Sequence, residues 1–208
     1  MFHDLDKSIE ALLEAELPEE IKAQTSVSFA TPDGDFPPAS VSLPTINLFL
    51  YDVVENTEYR VGGHAWEQSG SDRFVRRIEP VRVACHYIVT AWAREGTPAP
   101  EQDEHQILGA AMQALCRHRI LPKVYLRGGL AESEFTVYAR PLASGRIDSP
   151  GEFWQALGGR PRPFFNYTAI LAVPIGMPEV STQAVKASEV KLGRETPEEI
   201  EKKRAGGG

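Results

Sequence analysis

The stretch Pro44-Thr45-Ile46-Asn47-Leu48-Phe49-Leu50-Tyr51-Asp52-Val53-Val54 decides the fold class. Apolar residues fall at odd and even positions alike, which predicts an interior strand covered on both faces of its sheet. A second long strand is predicted from Val81 to Trp92. There Val81, Val83, Cys85, Tyr87, Val89 and Ala91 alternate with Arg82, Ala84, His86, Ile88, Thr90 and Trp92, leaving one face strongly apolar. Shorter strands are expected at 27–29, around Phe135, Val137 and Ala139, and at 164–173.

Helices flank these strands. Leu5, Ile9, Leu12 and Leu13 recur at helical spacing over residues 4–16, with Asp6, Glu10 and Glu14 on another, solvated face. Asp4 is the expected cap, and Leu17-Pro18 ends the helix because a residue before proline avoids helical angles. A second helix is expected over 104–118. Asp103 with Gln106 reads as a capping box, Ile107, Leu108, Ala111, Met112 and Leu115 as the buried stripe, and Arg117 and His118 sit in a last turn whose dipole favours cations. Ser149-Pro150-Gly151-Glu152 starts a third helix, and Gly158-Gly159 stops it. The fold class is therefore α/β (α+β): a mixed, mostly antiparallel sheet with flanking helices and an extended C-terminal arm.

Charge partitions the chain. Of 22 Lys+Arg and 29 Asp+Glu in 208 residues, seven acids and two lysines lie in residues 1–23, and residues 174–208 hold six of each. The net charge of -7 argues against a general nucleic-acid binder, which needs a basic footprint. No apolar run approaches the ~18 residues of a membrane helix, and the first residues lack the basic and apolar regions of a signal peptide. Two cysteines, Cys85 and Cys116, build no disulfide framework. A protein made in a reducing cytoplasm is expected. Residues 1–173 should form the folded domain and 174–208 a polar extension, ordered by a partner or not at all. Residues 60–79 read as a long basic connection, holding Arg60, Arg73, Arg76 and Arg77. A ~20-residue loop inside a compact domain is usually functional.

The search for chemistry comes back nearly empty. There is no GxGxxG, Walker, HExxH or GxSxG pattern. Cys85 and His86 are adjacent on a strand, so they face opposite ways and cannot act as a thiol–base pair. Asp103-Glu104-His105 diverge around a helix, and no second His/Cys pair lies at ligand spacing. No catalytic residue, cofactor or metal is expected.

The order of blocks carries a resemblance. His3-Asp4-Leu5-Asp6-Lys7 is followed by the strand from Pro44 with Glu55-Asn56, then Tyr87-Ile88-Val89-Thr90-Ala91-Trp92, Asp103-Glu104-His105, Phe153-Trp154-Gln155-Ala156-Leu157-Gly158 and Asn166-Tyr167. Over residues 3–173 this resembles the cap, or tail-terminator, family of phage-tail-like contractile injection systems. The resemblance implies a bacterial structural protein, not an enzyme. It would assemble as a ring, usually a hexamer, at the end distal to the baseplate, stopping the inner tube and joining the last sheath layer. Its partners would be itself, the sheath protein and the inner-tube protein, with no nucleic acid and no membrane. Arg60, Arg73, Arg76 and Arg77 are then candidates for tube or inter-subunit contact. Ile175, Met177, Val180, Val185, Val190 and Leu192 belong to an arm expected to add to a neighbouring sheath or cap sheet. A tail-completion protein of a contractile phage and, more distantly, an enzyme using His86 or His105 are the alternatives.

Overall fold

The computed structural model describes residues 1–59 and 80–175 in full, and the backbone of 65–68, 73–77 and 180–183. The chain divides into two units, Met1–Gly62 with Glu79–Gly176, and Gly63–Ile78 with Met177–Gly208.

The first unit opens with helix α1 (Phe2–Glu16) and the single turn α2 (Glu19–Lys22). Leu5, Ile9, Leu12 and Leu13 are all fully buried, as their spacing requires. Asp4 is not the cap: the helix begins at Phe2, and Asp4 lies in its first turn. Asp6 also departs from expectation. It leaves the solvated face to accept a 2.8 Å hydrogen bond from the buried Tyr87 hydroxyl, and burial raises its carboxyl above the ordinary range despite that bond.

Strands β1 (Ser26–Ser28) and β2 (Thr45–Glu55) follow. After the second unit's strands β3 (Ala65–Gln68) and β4 (Arg73–Arg77), the chain returns as β5 (Val81–Trp92). Helix α3 (Pro100–Cys116), a 3₁₀ turn (Lys123–Tyr125), the single turn α4 (Gly129–Glu132) and strand β6 (Tyr138–Pro141) come next. Helix α5 (Pro150–Ala156), β7 (Phe165–Val173) and β8 (Val180–Gln183) complete the order. The main sheet runs β1-β2-β5-β7-β6. Only β1–β2 is parallel, so the sheet is mixed and mostly antiparallel.

Both long strands behave as their patterns predict. On β2, Thr45, Ile46, Asn47 and Leu48 are buried on both faces, while Val53 near its far end is 41% exposed. Cys85, Tyr87, Val89 and Ala91 of β5 join Ile46, Leu48, Tyr167, Ala169 and Leu171 in one core beneath α1 and α3. The apolar stripe of α3 holds, with Ile107, Ala111, Ala114 and Leu115 buried and Leu108 and Met112 packed partly against them. The helix starts four residues before the expected position. Pro100 occupies its first turn, where a missing N–H costs nothing, and Asp103 makes no capping bond.

The opposite face of the sheet is covered by loops and by α5. Ser149 caps α5, its Oγ accepting from the Glu152 amide at 3.4 Å, and Pro150 takes the first helical position. Gly158 sits at φ 70°, the left-handed conformation that ends a helix, and a side chain there would be strained. Trp154, 1% exposed, is the one buried residue of this short helix.

Candidate assembly surface

Residues 60–79 are not an unstructured connection. Within them β3 and β4 pair antiparallel, from Ala65 opposite Arg77 to Gln68 opposite Phe74. The extension then adds a third strand: β8 pairs antiparallel with β4, placing Val180 opposite Arg76 and Gln183 opposite Arg73. An arm that adds a strand to a neighbour was expected; the described segment of it adds to this chain's own hairpin. Sequence patterning missed the hairpin because four- and five-residue strands show little alternation, and charge dominated the reading. The structure thus brings Arg73, Arg76, Arg77 and Val180 together on one small sheet. Ile175 is 44% exposed at the end of the first unit. Arg60, Met177, Val185, Val190 and Leu192 lie outside the described residues.

The residues weighed for chemistry are built into structure. Cys85 is fully buried in the core, and burial pushes its thiol up to about 12, with the nearby Asp6 charge adding to the rise. His86 faces the other way, its Nδ1 2.9 Å from Thr168 Oγ1, and burial lowers its pKa. Around it Arg146 pairs with Asp52 at 2.7 Å. Tyr51, at the β-bulge between Leu50 and Asp52, receives a hydrogen bond from the Arg146 amide at 3.2 Å. This polar cluster ties the segment after β6 to the sheet. Asp103, Glu104 and His105 separate as their helical spacing requires. Glu104 pairs with Arg162 and accepts from the Ala93 amide at 3.3 Å, while His105 is exposed. Among the described residues no group of three or more His, Cys, Asp or Glu is placed to hold a metal ion, and no helix is long and apolar enough to cross a membrane.

Arg117 and His118 do more than face a helix dipole. Arg117 follows the last residue of α3 and contacts Glu16 at the end of α1, Nη1 lying 3.1 Å from the carboxylate and 2.9 Å from the Glu16 carbonyl. His118 Nε2 lies 3.1 Å from Glu16 Oε1, and the Tyr125 hydroxyl donates to the same oxygen at 3.1 Å. The His118 bond is the main cause that holds the Glu16 carboxyl below its ordinary pKa, with Tyr125 and Arg117 contributing and partial burial opposing. A depressed acid stabilises the fold above its unfolded pKa and loses that contribution as pH falls through its folded value. Glu16→Gln should therefore melt below wild type by a constant margin near neutrality. The margin should close on acidification, measured by thermal unfolding across the acid range.

At the other end of α1, Gly128 adopts φ 54°, and a Cβ there would sit 2.3 Å from Asp4 Oδ1. The positive φ is what favours glycine here, and a side chain would also have to displace the Asp4 carboxylate. Between these two anchors lies a strip that the helix-and-strand pattern did not single out. Residues 117–127 hold four Lys or Arg and one histidine but no acid. An acid-free run within an acidic chain is the signal that marks it.

Comparison with known proteins places the fold. The model of the family described as the Pvc16 N-terminal domain matches residues 4–186. No curated protein matches the sequence significantly. Among solved structures, the PVC sheath/tube terminator of an extracellular contractile injection system, in its extended state, aligns with a TM-score of 0.66 at 22% identity, covering 99% of this chain and 69% of that one. The tube-terminating cap of the anti-feeding prophage aligns with a TM-score of 0.63 at 21% identity, covering 94% of this chain and 64% of that one. At these identities the likeness concerns the fold, and this chain spans about two thirds of either solved chain. The family match covers most of the sequence: the chain is a member of the Pvc16 N-terminal domain family.

Proposed function

We propose that this protein caps a contractile injection particle at the end distal to the baseplate. It assembles there as a ring of six, stops growth of the inner tube and anchors the last layer of sheath. The observation that carries this reading is the family match across residues 4–186, in a chain whose fold is shared with a sheath/tube terminator and a tube-terminating cap. The role is mechanical rather than catalytic, and its partners are further copies of itself, the tube protein and the sheath protein. The chain is synthesised and assembled in the bacterial cytoplasm, whether the finished particle stays there or is released.

A cap has to be rigid where it meets the particle. The anchors at both ends of α1, and the Glu104–Arg162 pair between α3 and the segment before β7, support that requirement. Electron microscopy of particles purified with and without this gene tests the proposal. With the gene, particles should end in a closed ring and have one narrow length distribution. Without it, tubes and sheaths should lack the terminal density and vary in length. Indistinguishable particles would overturn the cap role.

A further inference from the structure

Two surfaces of the first unit are opposite in charge, and they lie at opposite edges of its sheet. The first is a ridge within residues 117–127. The Arg119 carbonyl accepts from the Ala139 amide at 2.8 Å, the Leu121 amide donates to the Val137 carbonyl at 3.0 Å, and Ile120 bridges Tyr138. Residues 119–121 therefore run along the outside of β6, the edge strand, and Tyr125 and Arg127 hold the rest of the ridge against α1. Leu121 and Leu126 turn into the core, which leaves Ile120 51% and Val124 71% exposed. Arg119 and Lys123 flank them, both exposed and, among the described residues, without a carboxylate partner. The Arg127 guanidinium donates to the Val124 and Leu126 carbonyls, and its backbone amide donates to Ser8 Oγ at 2.9 Å.

The second surface is a cleft of about 220 Å³ beside β1 and the start of β2. Ile21, Pro44 and Ile107 supply its apolar lining, and Glu20 and Asp103 its charge. Arg94 also lines it, while Glu19 and Glu101 are exposed nearby. Lys22 is engaged by Glu19 at 3.5 Å. The lining thus carries two carboxylates against one cation, with Glu101 exposed close by in sequence.

The order β1-β2-β5-β7-β6 puts the cleft at one edge of the sheet and the ridge at the other, about 20 Å apart at the usual strand spacing. Helix α3 gives the same result independently. Asp103 and Ile107 of the cleft lie in its first turns and Arg117 follows its last residue, roughly 20 Å along the axis. A ring closes through a heterologous interface, which needs two different, mutually complementary patches on separate sides of one subunit. Aliphatic side chains flanked by cations fit an apolar lining flanked by carboxylates. The rings of the ridge, His118 and Tyr125, are drawn to Glu16 rather than presented as a stacking surface, and the chain's net charge of -7 opposes phosphate.

We propose that the ridge of one copy, led by Val124 and Lys123, seats in the Ile21–Asp103–Ile107 cleft of the next. This inference rests on the ring reading above and names its contact. The test uses the full chain, measured by size-exclusion chromatography with light scattering. Lys123→Ser with Val124→Ser disables the ridge without reversing its charge, and Glu20→Lys with Asp103→Lys disables the cleft, so the two altered surfaces do not complement each other. Unchanged thermal midpoints confirm that each variant is folded.

Wild type should form the ring, and each variant alone should run as a monomer, its association weakened by more than about tenfold. An equimolar mixture of the two variants should form a dimer and stop there, because one intact ridge meets one intact cleft. Variants that keep the wild-type ring, or a mixture that stays monomeric, would overturn this contact while leaving the ring reading intact. A wild type that is monomeric at every concentration would remove the ring reading, and this contact with it. Duplex DNA binding that the ridge variant abolishes would assign the ridge to nucleic acid instead and overturn the proposal.

Discussion

Trp154→Ala is expected to lower the free energy of unfolding by about 3–5 kcal/mol, measured by urea denaturation at neutral pH. Trp154 is 1% exposed and is the sole buried residue of α5. Its ring lies 5.7 Å from Phe153 and 6.3 Å from Phe164, in edge-to-face arrangements, and Phe153 in turn meets Tyr51 on the sheet at 6.2 Å. A seven-residue helix is too short to persist without tertiary contacts, so removing its anchor leaves a cavity and releases the helix together. The turn at Gly34 should loosen with it, since its amide donates to the Leu157 carbonyl at 3.1 Å. The indole N–H has no partner among the described residues, so the loss is apolar in origin. Trp154→Phe should accordingly cost less than half as much. A cost for the alanine variant below about 1 kcal/mol would place α5 outside the cooperative core.

Glu104→Ala should be the next most damaging single change, at about 2–4 kcal/mol. Glu104 is 15% exposed and Arg162 27%, so the pair is largely withdrawn from water. Arg162 also lies 3.8 Å over the Trp92 ring, which itself packs 4.2 Å from Phe36. Removing the carboxylate strands a guanidinium on an aromatic face and takes the acceptor from the Ala93 amide. Most of the cost is the penalty of that unpaired charge rather than the net value of the bond. Glu104→Ala combined with Arg162→Ala should therefore cost less than the sum of the two singles, with a coupling of about 1–3 kcal/mol. Strict additivity would show that the pair does not act as a unit.

These two sites differ in how visible they are in the chain. Ser149, Pro150, Glu152 and Gly158 mark the ends of α5 within ten residues, because capping and backbone preference are local. Leu5, Ile9, Leu12 and Leu13 declare the buried face of α1 for the same reason, as does the alternation of β5. Nothing local ties Glu104 to Arg162, 58 positions later, or Asp6 to Tyr87. Asp6 reads as a solvated acid, and only the packing of α1 on β5 turns it toward the core.

The chain's charge partition acquires a different meaning in the same way. The sequence by itself determined the long strands β2, β5 and β7 and the helices α1, α3 and α5, which of their faces are apolar, and that Cys85 and His86 cannot cooperate. It also carried the block order that marks the family. Only the tertiary structure decided that β8 pairs with β4 and that the 60–79 segment holds a hairpin. The same holds for the placement of the basic ridge and the acidic cleft on opposite sheet edges. Periodicity and capping depend on neighbours a few residues apart. Strand order and charge placement depend on contacts between residues far apart in the chain, which no local pattern encodes.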